Sequence, residues 1–435
     1  MRDQAKVDYQ LDILLLTAVL MFACGLGARR NIKALLGTPC VMAKFKALGA
    51  PGVPHGDTIN DAFSMITATS EVQAVVTNTV DRLIDSKLFN PYRLNLEYLV
   101  AIDGSQHLAF QEQHPDHCLT KTKDGVTKHS LQVLEAKVVT SIGLVASLMT
   151  EFIENAAPNA SKQDCELRGF ERLARHLKER FQRLALCLLL DGLYACGTCF
   201  AICSANGWHF LATLKDDSLP SVHDEQIALW PMQSAQLSKR TFKTKRGRER
   251  VEQEVRWITD IDYTDTENRT HRVCAITCVE TVTPLLVRPR RAKKPNPGEE
   301  ANAPSTTKTY AWVTNYTVTK SNIWALVEAG RKRWKIENEG FNDQKNHGDM
   351  RLEHAYSYNQ NAIKVFYYTL QLAHLIMQLM RHGGLLVGTT AESVGSMANV
   401  AKCMLEAWRN LWRINGLFDP PPRFQIRLKR PDCSS

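Results

Sequence analysis

The chain lacks any apolar run of the roughly 20 residues that a bilayer requires. The nearest approach, ILLLTAVLMFACGLGA from Ile13 to Ala28, falls short of that length and is bracketed by Asp12 and Arg29. A buried helix of an all-α region is therefore expected there, and no membrane partner. No internal repeat is evident, which argues against stacked-repeat architectures. No signal peptide precedes the twelve cysteines, so they read as reduced thiols of a cytoplasmic protein, not as a disulfide framework. Nor do they form the paired short loops of a structural zinc site. Cys196, Cys199 and Cys203 share one face of a predicted helix and are expected to pack; the run His114-Pro-Asp-His117-Cys118 has no second ligand pair and reads as a loop.

What is present is the composition of an ordinary globular protein, with 44% hydrophobic and 23% charged residues over 435 positions, enough for two or three domains. The net charge of +9 is moderate, but its distribution is uneven. Between Lys239 and Arg250 seven basic residues, Lys243, Lys245, Arg246 and Arg248 among them, face one acid in the run, Glu249. Further clusters hold Arg288, Arg290, Arg291, Lys293 and Lys294, and then Arg331, Lys332, Arg333 and Lys335. One such run is as easily a solvated loop; three of them around an acidic constellation point to a phosphate backbone. Trp257, inside the basic region, is expected in the core more than stacked on a base.

Periodicity divides the chain. Residues 1–95 read as a helical N-terminal domain, expected to bind DNA, with apolar residues at helical spacing on either side of the Gly/Pro turn at 49–56. Strands are expected at 94–103, 131–141 and 144–152, an amphipathic helix at 165–184, a strand buried on both faces at 184–192, and another strand at 208–215. Together, 96–220 form the first part of an α/β core. Residues 221–310 read as a β-rich insertion with basic loops, 311–385 as the second part of the core with a helix over 321–347, and 386–435 as a helical C-terminal region.

Three acids stand out by their setting. Asp103 and Asp191 each end an apolar strand, and Glu337 lies in the late helix. Carboxylates at the mouth of an α/β sheet stay solvated or bind a cation. Two from strands and one from a helix supply the hard oxygen ligands of Mg²⁺ and leave room for water and phosphate. Two such ions can activate the attacking oxygen and stabilise the leaving one in an in-line displacement.

The order of three strands, helix, strand, helix, strand and a late acid-bearing helix is that of the ribonuclease-H-like fold. The segments AIDGSQ (101–106), LLLDGLYA (188–195) and GRKRWKIENEGFNDQKN (330–346) resemble the three acid-bearing blocks of the DDE transposases of the IS4-like group. The resemblance covers roughly residues 95–380 and implies Asp103, Asp191 and Glu337 as catalytic metal ligands for Mg²⁺, with Mn²⁺ as a substitute and two ions at work. It also implies a β-rich insertion before the third acid. The family signature has a Tyr seven residues before the glutamate, an Arg four before and a Lys seven after. Here Arg333 fits, Gly330 and Gln344 stand in the other two places, and Lys345 is one residue late. On an α-helix, positions 333, 337, 341 and 345 form one stripe, so Arg333 and Lys345 are expected at the phosphate near the metals. Glu339 would face away, in the solvated company of Lys335 and Asp343.

The function implied is transposition: double-stranded DNA bound at the terminal inverted repeats of an insertion sequence, cut there, and joined to target DNA, by a homodimer in synapsis associated with the nucleoid. A structure-specific nuclease on the same fold and a non-catalytic, transposase-derived DNA-binding protein are the rivals.

Overall fold

Leu11–Ala23 is helix α1, and nine of its thirteen residues are buried, among them every residue from Thr17 to Ala23, as its largely apolar character requires. It is followed by α2 (Asn31–Leu36), α3 (Pro39–Ala47, with the proline in the first turn, where its missing N–H costs nothing), α4 (Gly56–Ser64) and α5 (Thr69–Asp85). Strands β1 (Tyr98–Phe110), β2 (Leu119–Lys123), β3 (Val126–Val139) and β4 (Val145–Ile153) precede α6 (Glu166–Arg180). Then come β5 (Leu186–Leu190), α7 (Gly197–Asn206), β6 (His209–Thr213), α8 (Pro220–Leu229), β7 (Leu237–Lys243), β8 (Glu249–Thr264), β9 (Thr270–Pro284), β10 (Thr306–Thr314) and α9 (Ile323–Arg331). A π-helix (Ile336–His347), α10 (Gln360–His382) and α11 (Met397–Arg409) complete the series. This computed structural model describes residues 8–112, 116–155, 164–215, 218–244, 249–285, 304–347, 350–383 and 395–410, together with 426 and 428. Among the described residues no helix is long and apolar enough to cross a membrane.

The architecture is mixed α/β, with helices at both ends, and it falls into two units: residues 1–184 with 334–435, and residues 185–333. In the first, β3 lies between β1 on one side and β2 and β4 on the other, all antiparallel, with Asp103 opposite Glu135 in the β1–β3 register. Helix α10 runs through the middle of this unit, against α1, α4, α5 and β4. Being covered on all sides, it buries polar residues as well as apolar ones, including Gln371, His374 and Gln378. Buried polar groups need partners. Gln371 Oε1 accepts from Lys137 Nζ at 2.7 Å and from Gln344 Nε2 at 2.8 Å; Gln378 Oε1 accepts from the Val145 amide at 2.6 Å, and its Nε2 donates to the Glu339 carbonyl at 2.8 Å.

In the second unit β5 and β6 are parallel, while β10 runs antiparallel to both β6 and β9, and β9, β8 and β7 continue antiparallel. The β-rich segment is thus laid directly onto the β5–β6 sheet through β10. Helix α9 packs on β6 and α8 on β8. Trp257 is 3% exposed, a core residue as expected.

Two buried features of the first unit make its stability testable. Lys137 and Glu135 are both fully buried, with Nζ to Oε2 at 3.8 Å, and Glu135 also accepts from Ser147, Thr150 and Tyr367. Removing one partner strands the other's charge in the core, so Lys137→Met is expected to cost roughly 3–5 kcal/mol in urea denaturation, and the double change with Glu135→Gln distinctly less than the sum. His107 is buried with Nδ1 2.9 Å from the Leu352 carbonyl. Burial, aided by the charge of Lys345 and opposed by that hydrogen bond, pushes its pKa down to about 4. The unfolded chain takes the proton near 6.5 and the folded chain does not, so this contribution, on the order of 3 kcal/mol, is complete above pH 6.5 and is lost as the pH falls towards 4. His107→Asn is expected to lower stability at pH 7 and to flatten its decline over that window; a decline as steep as that of the wild type would rule out His107 as its source.

Candidate active site

Asp103 sits within β1, just past the fully buried stretch Leu99–Ile102, and its side chain is half-buried. Its Oδ1 accepts from the Gly104 amide at 3.1 Å. A Cβ at Gly104 would lie 2.6 Å from the carboxyl carbon of Glu166, in the first turn of α6, so that side chain packs directly on the backbone here. A second carboxylate therefore rests against the backbone beside Asp103. The sequence reading missed Glu166, because only the fold brings α6 over β1.

Asp191 follows β5, whose five residues are all buried, and it remains partly exposed. It caps the 3-10 turn Gly192–Tyr194 by accepting from the Leu193 amide at 2.7 Å. Lys215, just beyond the end of the neighbouring β6, brings Nζ within 3.9 Å of Asp191 Oδ2 and lays its methylenes where a side chain on Gly192 would stand. Lys215 is a second residue missed by the sequence reading, although the pairing of two strand ends could have suggested it.

Glu337 lies half-buried in the π-helix, and here the structure corrects an expectation. The four-residue stripe assumed one continuous α-helix, whereas Arg333 belongs to a preceding 3-10 turn and positions 337, 341 and 345 to a π-helix. Phe341 is buried, with the Lys137 ammonium 5.3 Å from its ring centre, and Lys345 pairs with Glu353 at 2.7 Å. Arg333 is buried in the 3-10 turn Lys332–Trp334 that precedes the π-helix. Glu339 pairs with Lys335, as its expected face implied. Asp343, however, is buried, so that face is not a solvated surface.

The two departures from the family signature have structural reasons. Gln344 is fully buried and bonded to Gln371, a position where a lysine would have to lose its water. Gly330 lies under the indole of Trp312: a Cβ would come within 2.6 Å of the ring. No larger side chain fits without moving it.

Asp103 and Glu337 belong to the first unit and Asp191 to the second. Among the described residues no three His, Cys, Asp or Glu side chains form a ready metal-ligand group.

The basic run also changes meaning. On the β7–β8 hairpin Lys239 pairs with its cross-strand neighbour Glu254 at 2.6 Å, Arg250 pairs with Glu252, and Arg240 bonds Gln253 and Glu328 while its guanidinium lies 4.2 Å from the Trp324 ring centre. Acids from β8 and α9 neutralise what looked like an unopposed run. Lys243, exposed at the end of β7, pairs with no acid among the described residues; Lys245, Arg246 and Arg248 lie outside them, as does the cluster Arg288–Lys294. Of the third cluster, Arg331 is held by Glu280 and by the Tyr310 ring.

An alanine in an ordinary helix interior gains about 1 kcal/mol over glycine. At Gly330 the collision with Trp312 outweighs that gain, since overpacking costs about 1–3 kcal/mol. Gly330→Ala is therefore expected to lower the thermal midpoint, and Trp312→Ala in the same chain to recover part of the Gly330→Ala penalty; a midpoint raised by Gly330→Ala alone would contradict the packing described.

Compared with known proteins, the chain matches no protein-family model and no curated protein sequence.

Proposed function

We propose that the protein is a DNA transposase that cuts and joins DNA by metal-dependent phosphoryl transfer. The observation that carries this reading is Asp191, a partly exposed carboxylate terminating an entirely buried strand, with the ammonium of Lys215 beside it. A carboxylate so placed is available to a cation, and the nearby lysine is available to a phosphate. The sequence blocks around Asp103 and Glu337 resemble those of the IS4-like transposases and supply the other two acids.

In this reading Asp103, Asp191 and Glu337 hold Mg²⁺, or Mn²⁺ in its place, through oxygen ligands of the kind that ion prefers. When bound, the metal would supply Lewis acidity to the reacting phosphate, with two ions the expectation from the resemblance. Lys215 and Lys345 neutralise charge on the scissile phosphate, each exchanging a carboxylate partner for it. The basic run with Lys243, Lys245, Arg246 and Arg248 follows the DNA backbone. Synapsis of two element ends calls for a homodimer.

Asp103→Asn, Asp191→Asn and Glu337→Gln are each expected to slow single-turnover cleavage of element-end DNA in Mg²⁺ by roughly three orders of magnitude, since metal stabilisation of the transition state is worth several kcal/mol. Glu339→Gln, which removes only the partner of Lys335, is expected to cleave at near the normal rate. Cleavage that survives all three changes would falsify the triad. Cutting without joining of the 3′-ends to target DNA would assign a nuclease instead.

The hairpin gives a separate measurement. Neutralising Lys243, Lys245, Arg246 and Arg248 should lower the slope of log affinity against log salt by about 0.9 for each phosphate that is no longer neutralised, whereas Lys239→Gln, whose charge is already matched by Glu254, should change it little. Equal effects from both sets would mean the hairpin end has no special role.

A further inference from the structure

Cys196 and Cys199 stand at the start of α7, both reduced, with their Sγ atoms 3.5 Å apart. Cys196 is the residue preceding the helix, in extended conformation (φ −152°, ψ 159°), so its sulfur lies over the first turn. The amides of Thr198 and Cys199 face that sulfur without closing a full capping bond. Exposure differs sharply between the two: Cys196 is accessible, whereas Cys199 is 1% exposed and Cys203, one turn on, is fully buried. The residue following Cys196 must be small. A Cβ on Gly197 would fall 2.2 Å from Cβ of Asp265, which is itself fixed by Arg269 at 2.8 Å and His271 at 2.9 Å. This packing brings Asp265 and the positive charge of Arg269 it holds to the cysteine pair, with Tyr263, His271 and Cys203 as further titratable neighbours.

We propose that Cys196 and Cys199 form a thiol–disulfide exchange site, in which accessible Cys196 takes a small-molecule disulfide as substrate and buried Cys199 closes an intrachain bridge. Cysteines spaced this way at a helix N-terminus have an attacking and a resolving sulfur in fixed order. Electrostatics agree with that order. The hydrogen bond from Cys199 brings the Cys196 thiol down to about 6 against the opposing effect of burial, with help from the two amides and Arg269, while burial raises that of Cys203.

The reaction balances without any further reagent. The Cys196 thiolate attacks one sulfur of R–S–S–R, forming a Cys196–S–S–R bond and releasing R–S⁻, which takes a proton from water. Cys199 gives up its proton to solvent, and its sulfur attacks Cys196 Sγ, breaking the mixed bond and releasing a second R–S⁻. The protein dithiol loses two electrons, and the small disulfide gains them as two thiols. A bridge ties the residue before α7 to its first turn, five positions after Asp191.

The test uses the full-length reduced protein with glutathione disulfide at pH 7, followed by alkylation and peptide mass mapping. Wild-type protein is expected to acquire a Cys196–Cys199 bridge, Cys199→Ser to accumulate a glutathione adduct on Cys196, and Cys196→Ser to form neither. The proposal is overturned if the wild type gains adducts at exposed Cys165 and Cys403 but no bridge. Because cysteine variants can misfold, the wild type supplies a second readout. Alkylation of Cys196 by iodoacetamide should reach half its plateau rate near pH 6, and a midpoint at the ordinary thiol value of about 8.5 would overturn it equally.

Discussion

The first unit depends on one buried arrangement, the ammonium of Lys137 enclosed beneath the π-helix. Lys137 has no exposure, and burial lowers its affinity for the proton while Glu135 opposes that shift. A charge in that position is tolerable only where nearby dipoles and a counter-charge replace the lost water. Gln371 supplies one such dipole, Glu135 the counter-charge, and the face of Phe341 a third contribution. Each of these groups is then committed: Glu135 to the hydroxyls of β4 and to Tyr367, Gln371 to Gln344. The network joins β3, β4, α10 and the π-helix through directional bonds, where apolar packing alone would allow sliding. For a helix that carries Glu337 such fixing matters more than net stability, because buried polar networks specify one arrangement among several of similar packing energy.

How much of this was legible depended on the range of the signal. The strands around positions 100, 135, 148 and 188 could be read because a buried strand announces itself locally, in four to eight apolar residues. Asp103 and Asp191 stood out for the same reason, each being the first acid after such a run. The π-helix could not be read. Its sequence, IENEGFNDQKNH, has too few apolar residues to mark a period, and what selects i→i+5 bonding is the set of partners waiting on α10 and β3, above all Gln371 for Gln344 and Gln378 for the Glu339 carbonyl. A period of 3.6 assumed there put Asp343 in solvent, and the structure buries it.

Charge gave the opposite error. Lys239 to Arg250 looked nearly unopposed because most of its acids lie outside the run: Glu252 follows it and pairs with Arg250, Glu254 faces Lys239 in the β7–β8 register, and Glu328 reaches Arg240 from α9, 88 positions away. Gly330 is a further instance of distance hiding cause. Nothing near it in sequence forbids a side chain; Trp312, on β10, does. The helical N-terminal region, by contrast, was readable at α1 and α5, whose apolar faces are encoded locally, whereas the short α2 and α3 between them carried no separate signal.

The short connection after β5 shows how little of its position rests on the ion pair it carries. Lys215 is 57% exposed and 3.9 Å from Asp191, so the pair is worth less than about 1 kcal/mol and is screened by salt. It cannot be what holds the connection in place. That is done by the buried strand before it, by Tyr194 with no exposure, and by the Leu193 amide on Asp191 Oδ1. Asp191 therefore has its backbone fixed by strong, buried determinants and its second carboxylate oxygen guarded only by a flexible, solvated lysine. In the proposed reading an incoming cation displaces that ammonium at small cost, and an incoming phosphate recruits it. A tight pair at the same place would have stabilised the empty protein and obstructed both.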